Sequence, residues 1–137
     1  MMDKRLIEKY LKFYPRIDTE IKTVEDDLAF YEKKKTEYET NNRHGNRDVA
    51  IKQINNELKR KHDEILELMK IKEYISLVLR RADMDCRKIV DLRLWKRKCW
   101  DEISITMGIS RRQTERIYQQ IFKYFDNFST TLLILDI

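Results

Sequence analysis

Residues 100–119 read WDEISITMGISRRQTERIYQ, and this stretch decides how the rest of the chain is organised. Counted as a helix-turn-helix that begins at Trp100, position 4 is Ile103, position 5 is the small Ser104 and position 8 is Met107. Position 9 is Gly108, position 10 Ile109, position 15 Thr114 and position 18 Ile117. Geometry sets these spacings. A small residue lets the helices cross closely, glycine accepts the left-handed backbone of the turn, and apolar residues fill the angle between the helices. Thr114 is the weakest fit, β-branched like valine but carrying a hydroxyl. Ser110 and Gln113 have the S-x-x-Q spacing of a capping box, which predicts that the second helix starts at Ser110.

Once that inner face is fixed, Arg111, Arg112, Glu115, Arg116 and Gln119 must point outward. They are the residue types that read base edges in the major groove. Arginine pairs with guanine through two hydrogen bonds, glutamine with adenine, and glutamate accepts from cytosine. Lys96, Arg97, Lys98, Ser110 and Lys123 are expected at phosphates, where they position a protein without specifying sequence. The distribution of charge agrees. Residues 86–125 hold 10 Lys/Arg against 4 Asp/Glu, a net of +6, whereas residues 1–85 hold 19 against 18. The formal net charge of +5 is thus confined to forty residues, an electrostatic footprint rather than a general solubility device.

Upstream of Trp100, Ile89, Val90, Leu92, Leu94 and Trp95 make a helix with a broad apolar face. Lys96, Arg97 and Lys98 lie at its C-terminal end, where cations suit the helix dipole. Further upstream, Ile51, Ile54, Leu58, Ile65, Leu68, Ile75 and Leu79 step by three and four in a helix expected from about Asp48, with Lys61 and Lys72 in the missing seam positions. Ile17, Ile21, Val24, Leu28, Tyr31 and Tyr38 form a matching seam, interrupted by Lys35. Thr40 to Asn46 (TNNRHGN) joins the two as a loop, so an antiparallel hairpin is expected, within one subunit or doubled in a dimer. Asp3 to Tyr14 reads as an opening helix stopped by Pro15, after which Asp18 or Thr19 caps the next. The expected fold is therefore all-α: a long, coiled-coil-like antiparallel hairpin over residues 1–85, a helix-turn-helix domain over 86–127 and an apolar tail over 128–137. A two-helix hairpin with one apolar stripe per helix buries little area alone, which points to a homodimer. The tail, FSTTLLILDI from Phe128, is expected to pack on the hairpin or on its counterpart in another subunit.

What is scarce excludes other classes. Two glycines, Gly45 and Gly108, and the single Pro15 rule out turn-rich sheet folds and phosphate-cradling glycine loops. Cys86 and Cys99 are too few for a disulfide framework, and a zinc site would need His44 and His62 from distant segments. The histidines have no serine or cysteine nucleophile nearby. Glu25, Asp26 and Asp27 are consecutive, so a helix splays their carboxylates apart instead of converging them on a substrate. No enzymatic chemistry and no cofactor are expected. Without a signal-type segment or an apolar run of membrane-spanning length, a cytoplasmic location is expected, with no membrane partner.

The run from Ile89 to Phe125, IVDLRLWKRKCWDEISITMGISRRQTERIYQQIFKYF, resembles region 4 of bacterial sigma-70-type factors. Leu92, Arg93, Glu102, Ile103, Ser104, Gly108, Ile109 and Ser110 carry that resemblance. The whole chain resembles the ArpU/RinA-type phage transcriptional regulators, including a Gly-Asn followed by an acid before a long helix, here Gly45, Asn46 and Asp48. The resemblance implies a regulator of phage or prophage genes, with late or packaging genes as targets and double-stranded DNA as the partner. Sigma-like region 4 domains can also contact RNA polymerase, which adds the polymerase as a partner with no residues assigned. Two alternatives stay open on the sequence: a small-terminase-like DNA-packaging subunit and a coiled-coil protein-interaction module.

Overall fold

A computed structural model of the chain describes residues 3–40 and 47–127. Among them the chain is helical almost throughout, with no strand, so the all-α expectation is met. In chain order the α-helices are α1 (Lys4–Phe13), α2 (Ile17–Thr40), α3 (Arg47–Arg81), α4 (Met84–Val90), α5 (Trp100–Met107) and α6 (Arg111–Asn127). A 3-10 turn (Tyr14–Arg16) joins α1 to α2, and a π-helical turn (Asp91–Trp95) extends α4. No helix of the described residues is long and apolar enough to cross a membrane.

Two compact units form. Among the described residues, one takes in 16–40 and 47–70, the other 3–15 together with 71–127. The first unit is the hairpin. Lys61 Nζ lies 3.6 Å from the Asp27 carboxylate, and the Arg47 guanidinium donates to the Glu39 carbonyl at 2.9 Å. Residue numbers thus rise on α2 as they fall on α3, which is an antiparallel pair. The seams face inward: Ile17, Ile21, Val24, Ile54 and Ile65 are buried, and Leu28, Tyr31, Tyr38, Ile51 and Leu58 half-buried. Lys61 holds its seam position by lying half-buried and turning its ammonium onto Asp27 and Glu64. A cavity of about 340 Å³ near the connecting end is lined by Phe30, Tyr31, Tyr38 and Ile54. The loop residues 41–46, with Gly45 and Asn46, lie outside the described residues, as do His44 and the tail 128–137.

Two local expectations change. Pro15 does not stop the helical path. Its fixed φ and missing N–H suit the first turn of a new helix, and the chain passes through a 3-10 turn into α2. Tyr14 keeps helical dihedrals (φ −49°, ψ −45°) despite preceding a proline. Tertiary contacts hold it there: its hydroxyl is 2.7 Å from Ser76 Oγ, and its ring stacks on Trp95 at 6.1 Å. Asp18 and Thr19 consequently lie inside α2 rather than capping it, and the acid Asp18 suits the positive end of the helix dipole. Asp3 caps α1 instead, accepting from the Arg5 N–H at 2.9 Å.

The second unit also differs from a simple C-terminal domain, because α1 packs into it. Ile7 and Leu11 are fully buried there, and the Trp95 indole Nε1 donates to the Leu11 carbonyl at 2.7 Å. The end of α3 enters the same core through Tyr74, Ile75, Val78 and Leu79. Tyr74 and Val78 widen the α3 stripe beyond the seam. Tyr74 then donates through its hydroxyl to the Phe125 carbonyl near the end of α6, at 3.0 Å. Burying side chains of this size is worth about 1.5–3 kcal/mol each.

Candidate nucleic-acid interface

The helix-turn-helix forms as its spacing demands. α5 ends at Gly108, which adopts φ 70°, ψ 27°. The Gly108 N–H donates to the carbonyls of Ser104 at 2.9 Å and Ile105 at 3.3 Å, and the Ile109 N–H returns to Ser104 at 3.2 Å. These bonds satisfy the last carbonyls of α5 and turn the chain sharply. Ser110 Oγ accepts from the Gln113 N–H at 3.1 Å, so Ser110 caps α6, which runs from Arg111. Ile103 and Thr114, the two residues at the crossing, are fully buried. The hydroxyl that made Thr114 a weak fit donates to the Ser110 carbonyl at 2.9 Å and costs the core no unpaired polar group.

The start of α5 uses a device the spacing did not announce. The Glu102 carboxylate accepts from the Cys99 thiol at 3.1 Å and from the Cys99 N–H at 3.5 Å. Those two bonds, the thiol's first, hold the Glu102 carboxyl below its ordinary range. An aromatic chain then ties the inner side of α6 in place. Trp100 packs edge-on to Tyr118 at 5.3 Å, and Tyr118 edge-on to Phe122 at 5.6 Å. The Arg93 guanidinium covers the outer face of Trp100 at 4.7 Å and donates to the Lys98 carbonyl at 3.1 Å. Burial and the bond it donates to Glu8 push the Tyr118 phenol upward, so it stays a neutral donor.

On the outer side, Arg111, Arg112, Arg116, Gln119 and Lys123 are exposed and Glu115 is half-exposed. Their states differ. Arg112 and Arg116 have no hydrogen-bond or ion-pair partner among the described residues. Arg111 is held by two carboxylates, Glu115 at 3.2 Å and Asp101 at 3.5 Å. The Glu115 pair is readable as an i,i+4 spacing. Asp101 comes from α5 across the turn, so the acids beside the arginines are less sparse than the linear sequence indicates. Gln119 accepts from the Lys4 ammonium of α1 at 3.0 Å. Its amide oxygen is therefore engaged, and a two-bond contact with adenine, which needs that acceptor, requires Lys4 to leave.

Of the residues expected at phosphates, Lys96, Arg97 and Lys98 lie on the connection before α5, Ser110 at the start of α6 and Lys123 in its C-terminal half. Lys96 pairs with Asp91 at 3.2 Å and Lys98 with Glu102 at 3.8 Å. Arg97, between them, is exposed and left-handed at φ 56°, the only non-glycine residue at positive φ among those described. The π turn positions it, since Lys96 N–H reaches the Asp91 carbonyl and Lys98 N–H the Leu92 carbonyl, both at 2.9 Å. Among the described residues no group of three potential ligands could hold a metal. Cys86 is buried and Cys99 exposed, both as free thiols.

No curated protein and no solved structure matches the chain. A family model described as "Protein of unknown function (DUF722)" matches residues 1–127, and the chain belongs to that family.

Proposed function

We propose that the protein is a sequence-specific DNA-binding transcriptional regulator of phage or prophage genes, with α6 entering the major groove. The observation that carries this reading is the pair Arg112 and Arg116. Both are exposed without a partner on the outer side of a helix whose inner side is seated by buried Thr114, Tyr118 and Ile121. Two unpaired guanidiniums one turn apart on a rigid helix are pre-positioned for guanine edges. Arg111, Glu115 and Gln119 complete the reading face, with Arg111 oriented by Asp101. Lys96, Arg97, Lys98, Ser110 and Lys123 contact phosphates. The surplus of +6 over residues 86–125 supplies the sequence-independent attraction.

The regulator works as a homodimer joined through the hairpin, where Phe30, Leu66 and Met69 leave 55%, 56% and 46% of their surface exposed. RNA polymerase is a further partner by resemblance to sigma region 4. Selection of bound sequences from a randomised duplex pool tests the reading. A defined site is expected, and Arg112→Ala or Arg116→Ala weakens binding to it by about 5- to 150-fold, the discrimination carried by one two-bond base contact. A pool that gains no consensus after repeated selection overturns it.

A further inference from the structure

α1 carries four cations, Lys4, Arg5, Lys9 and Lys12, and all four are exposed. Its two flanking acids are already engaged. Asp3 caps the helix, and the Glu8 carboxylate accepts from the Tyr118 hydroxyl at 2.7 Å. At about 100° per residue, Arg5, Lys9 and Lys12 fall within an arc of roughly 60°, adjoining the side that carries Lys4 and Glu8. Lys4 and Glu8 are the residues by which α1 meets the edge of the reading face. Lys4 Nζ lies 3.0 Å from Gln119 Oε1 and 5.3 Å from the centre of the Phe122 ring. On α6, Gln119 shares its outward side with Arg111, Arg112 and Arg116. The cations of α1 therefore continue the cationic surface of α6 across a packed boundary. Buried Ile7 and Leu11 and the Trp95 bond to Leu11 fix α1 in that place.

We infer that α1 is a second DNA-contacting element, whose Lys4, Arg5 and Lys9 bind backbone phosphates beside the groove entered by α6. This rests on the DNA-binding reading above. Duplex DNA presents one charge about every 1.7 Å along its axis, so a cationic stripe beside a groove-entering helix meets phosphates without any sequence requirement. Lys4 is the anchor. Its contact with the Phe122 ring, which does not depend on Gln119, holds a long side chain at the rim of the reading face and lowers the rotamer entropy lost on binding.

The test compares the full-length protein with Lys4→Gln/Arg5→Gln/Lys9→Gln, measuring affinity for a fluorescein-labelled duplex of random sequence as salt rises. Loss of three phosphate contacts lowers the log–log salt slope by about 2.7, so between 50 and 200 mM salt the wild type loses roughly 40-fold more affinity than the variant. A charge-retaining variant, Lys4→Arg/Arg5→Lys/Lys9→Arg, keeps the wild-type slope, which separates charge from any loss of folding. If the glutamine variant keeps the wild-type slope while Lys96→Gln/Lys123→Gln, at the phosphate contacts assigned above, lowers it, α1 is not a contact and the DNA-binding reading stands. If the wild type binds no duplex at all, both readings fall.

Discussion

Arg97→Gly should make the protein more stable and a poorer DNA binder. Arg97 occupies φ 56° without a hydrogen bond or ion pair among the described residues, so the substitution breaks no contact. A left-handed conformation costs an L-residue about 1–2 kcal/mol, and glycine escapes that cost. Against it stands the larger entropy glycine loses on folding, about 0.5–1 kcal/mol. The difference favours the variant by about 0.5–1 kcal/mol, a rise in Tm of roughly 1–4 °C for a chain of this size. The backbone bonds on either side, Lys96 to Asp91 and Lys98 to Leu92, remain available. Loss of one cation at the phosphates lowers the salt slope by about 0.9. Thermal and urea unfolding of the full chain, followed by circular dichroism, read the first effect, and duplex binding against salt reads the second. Arg97→Lys keeps both the strain and the charge and should leave both readings near wild type. A variant with glycine at position 97 that is less stable than wild type would refute the strain reasoning. One that binds DNA with an unchanged salt slope would remove Arg97 from the interface.

The opposite substitution tests the other left-handed position. Gly108→Ala should cost about 0.5–1 kcal/mol in urea unfolding, the left-handed penalty less the folding entropy that alanine saves, because nothing lies within 4 Å of an added Cβ. A negligible loss would mean that the turn relaxes. Thr114→Val exchanges a hydroxyl bond worth about 0.5–1.5 kcal/mol for a buried methyl worth about 0.8, so its stability stays within about 1 kcal/mol of wild type. Thr114→Ala loses the methyl as well and should be the less stable of the two; the reverse order contradicts the packing described. Burial, and then the Asp83 carboxylate, raise the Cys86 thiol from an ordinary 9.0 to about 11. At pH 8 one thiol, the exposed Cys99, should react with an aromatic disulfide reagent, and the second only on unfolding. The stability linked to Cys86 is whole below pH 9 and is lost as pH rises towards 11, since the unfolded thiol ionises first. Fast reaction of both thiols in the folded protein would show that this core is open.

Spacing alone made some of this legible. The crossing of α5 and α6, the Gly108 turn, the Ser110 cap and the inward seams of the hairpin all follow from periodicities of three and four and from one glycine. The contacts made by α1 do not. Lys4 and Gln119, Glu8 and Tyr118, and Leu11 and Trp95 are far apart in the chain and share no spacing rule, so α1 read as part of the hairpin. Polar residues in such pairs look like ordinary solvated side chains until the fold brings them together. Arg111 shows both cases at once: its Glu115 partner is an i,i+4 neighbour, whereas Asp101 reaches it only because the turn folds α5 back. Pro15 misled for a different reason, since a proline that breaks a helix interior is well suited to the first turn of a new one.

Reading of DNA sequence by the outer side of α6 is what a transcriptional regulator of this kind requires. The most direct measurement is the ratio of affinities of the full-length protein for its selected duplex and for a scrambled duplex of the same composition, at physiological salt. A ratio of about a thousand or more is expected, falling by about 5- to 150-fold with Arg112→Ala or Arg116→Ala while affinity for the scrambled duplex changes little. A ratio near one, or a high ratio that survives both substitutions, would contradict it.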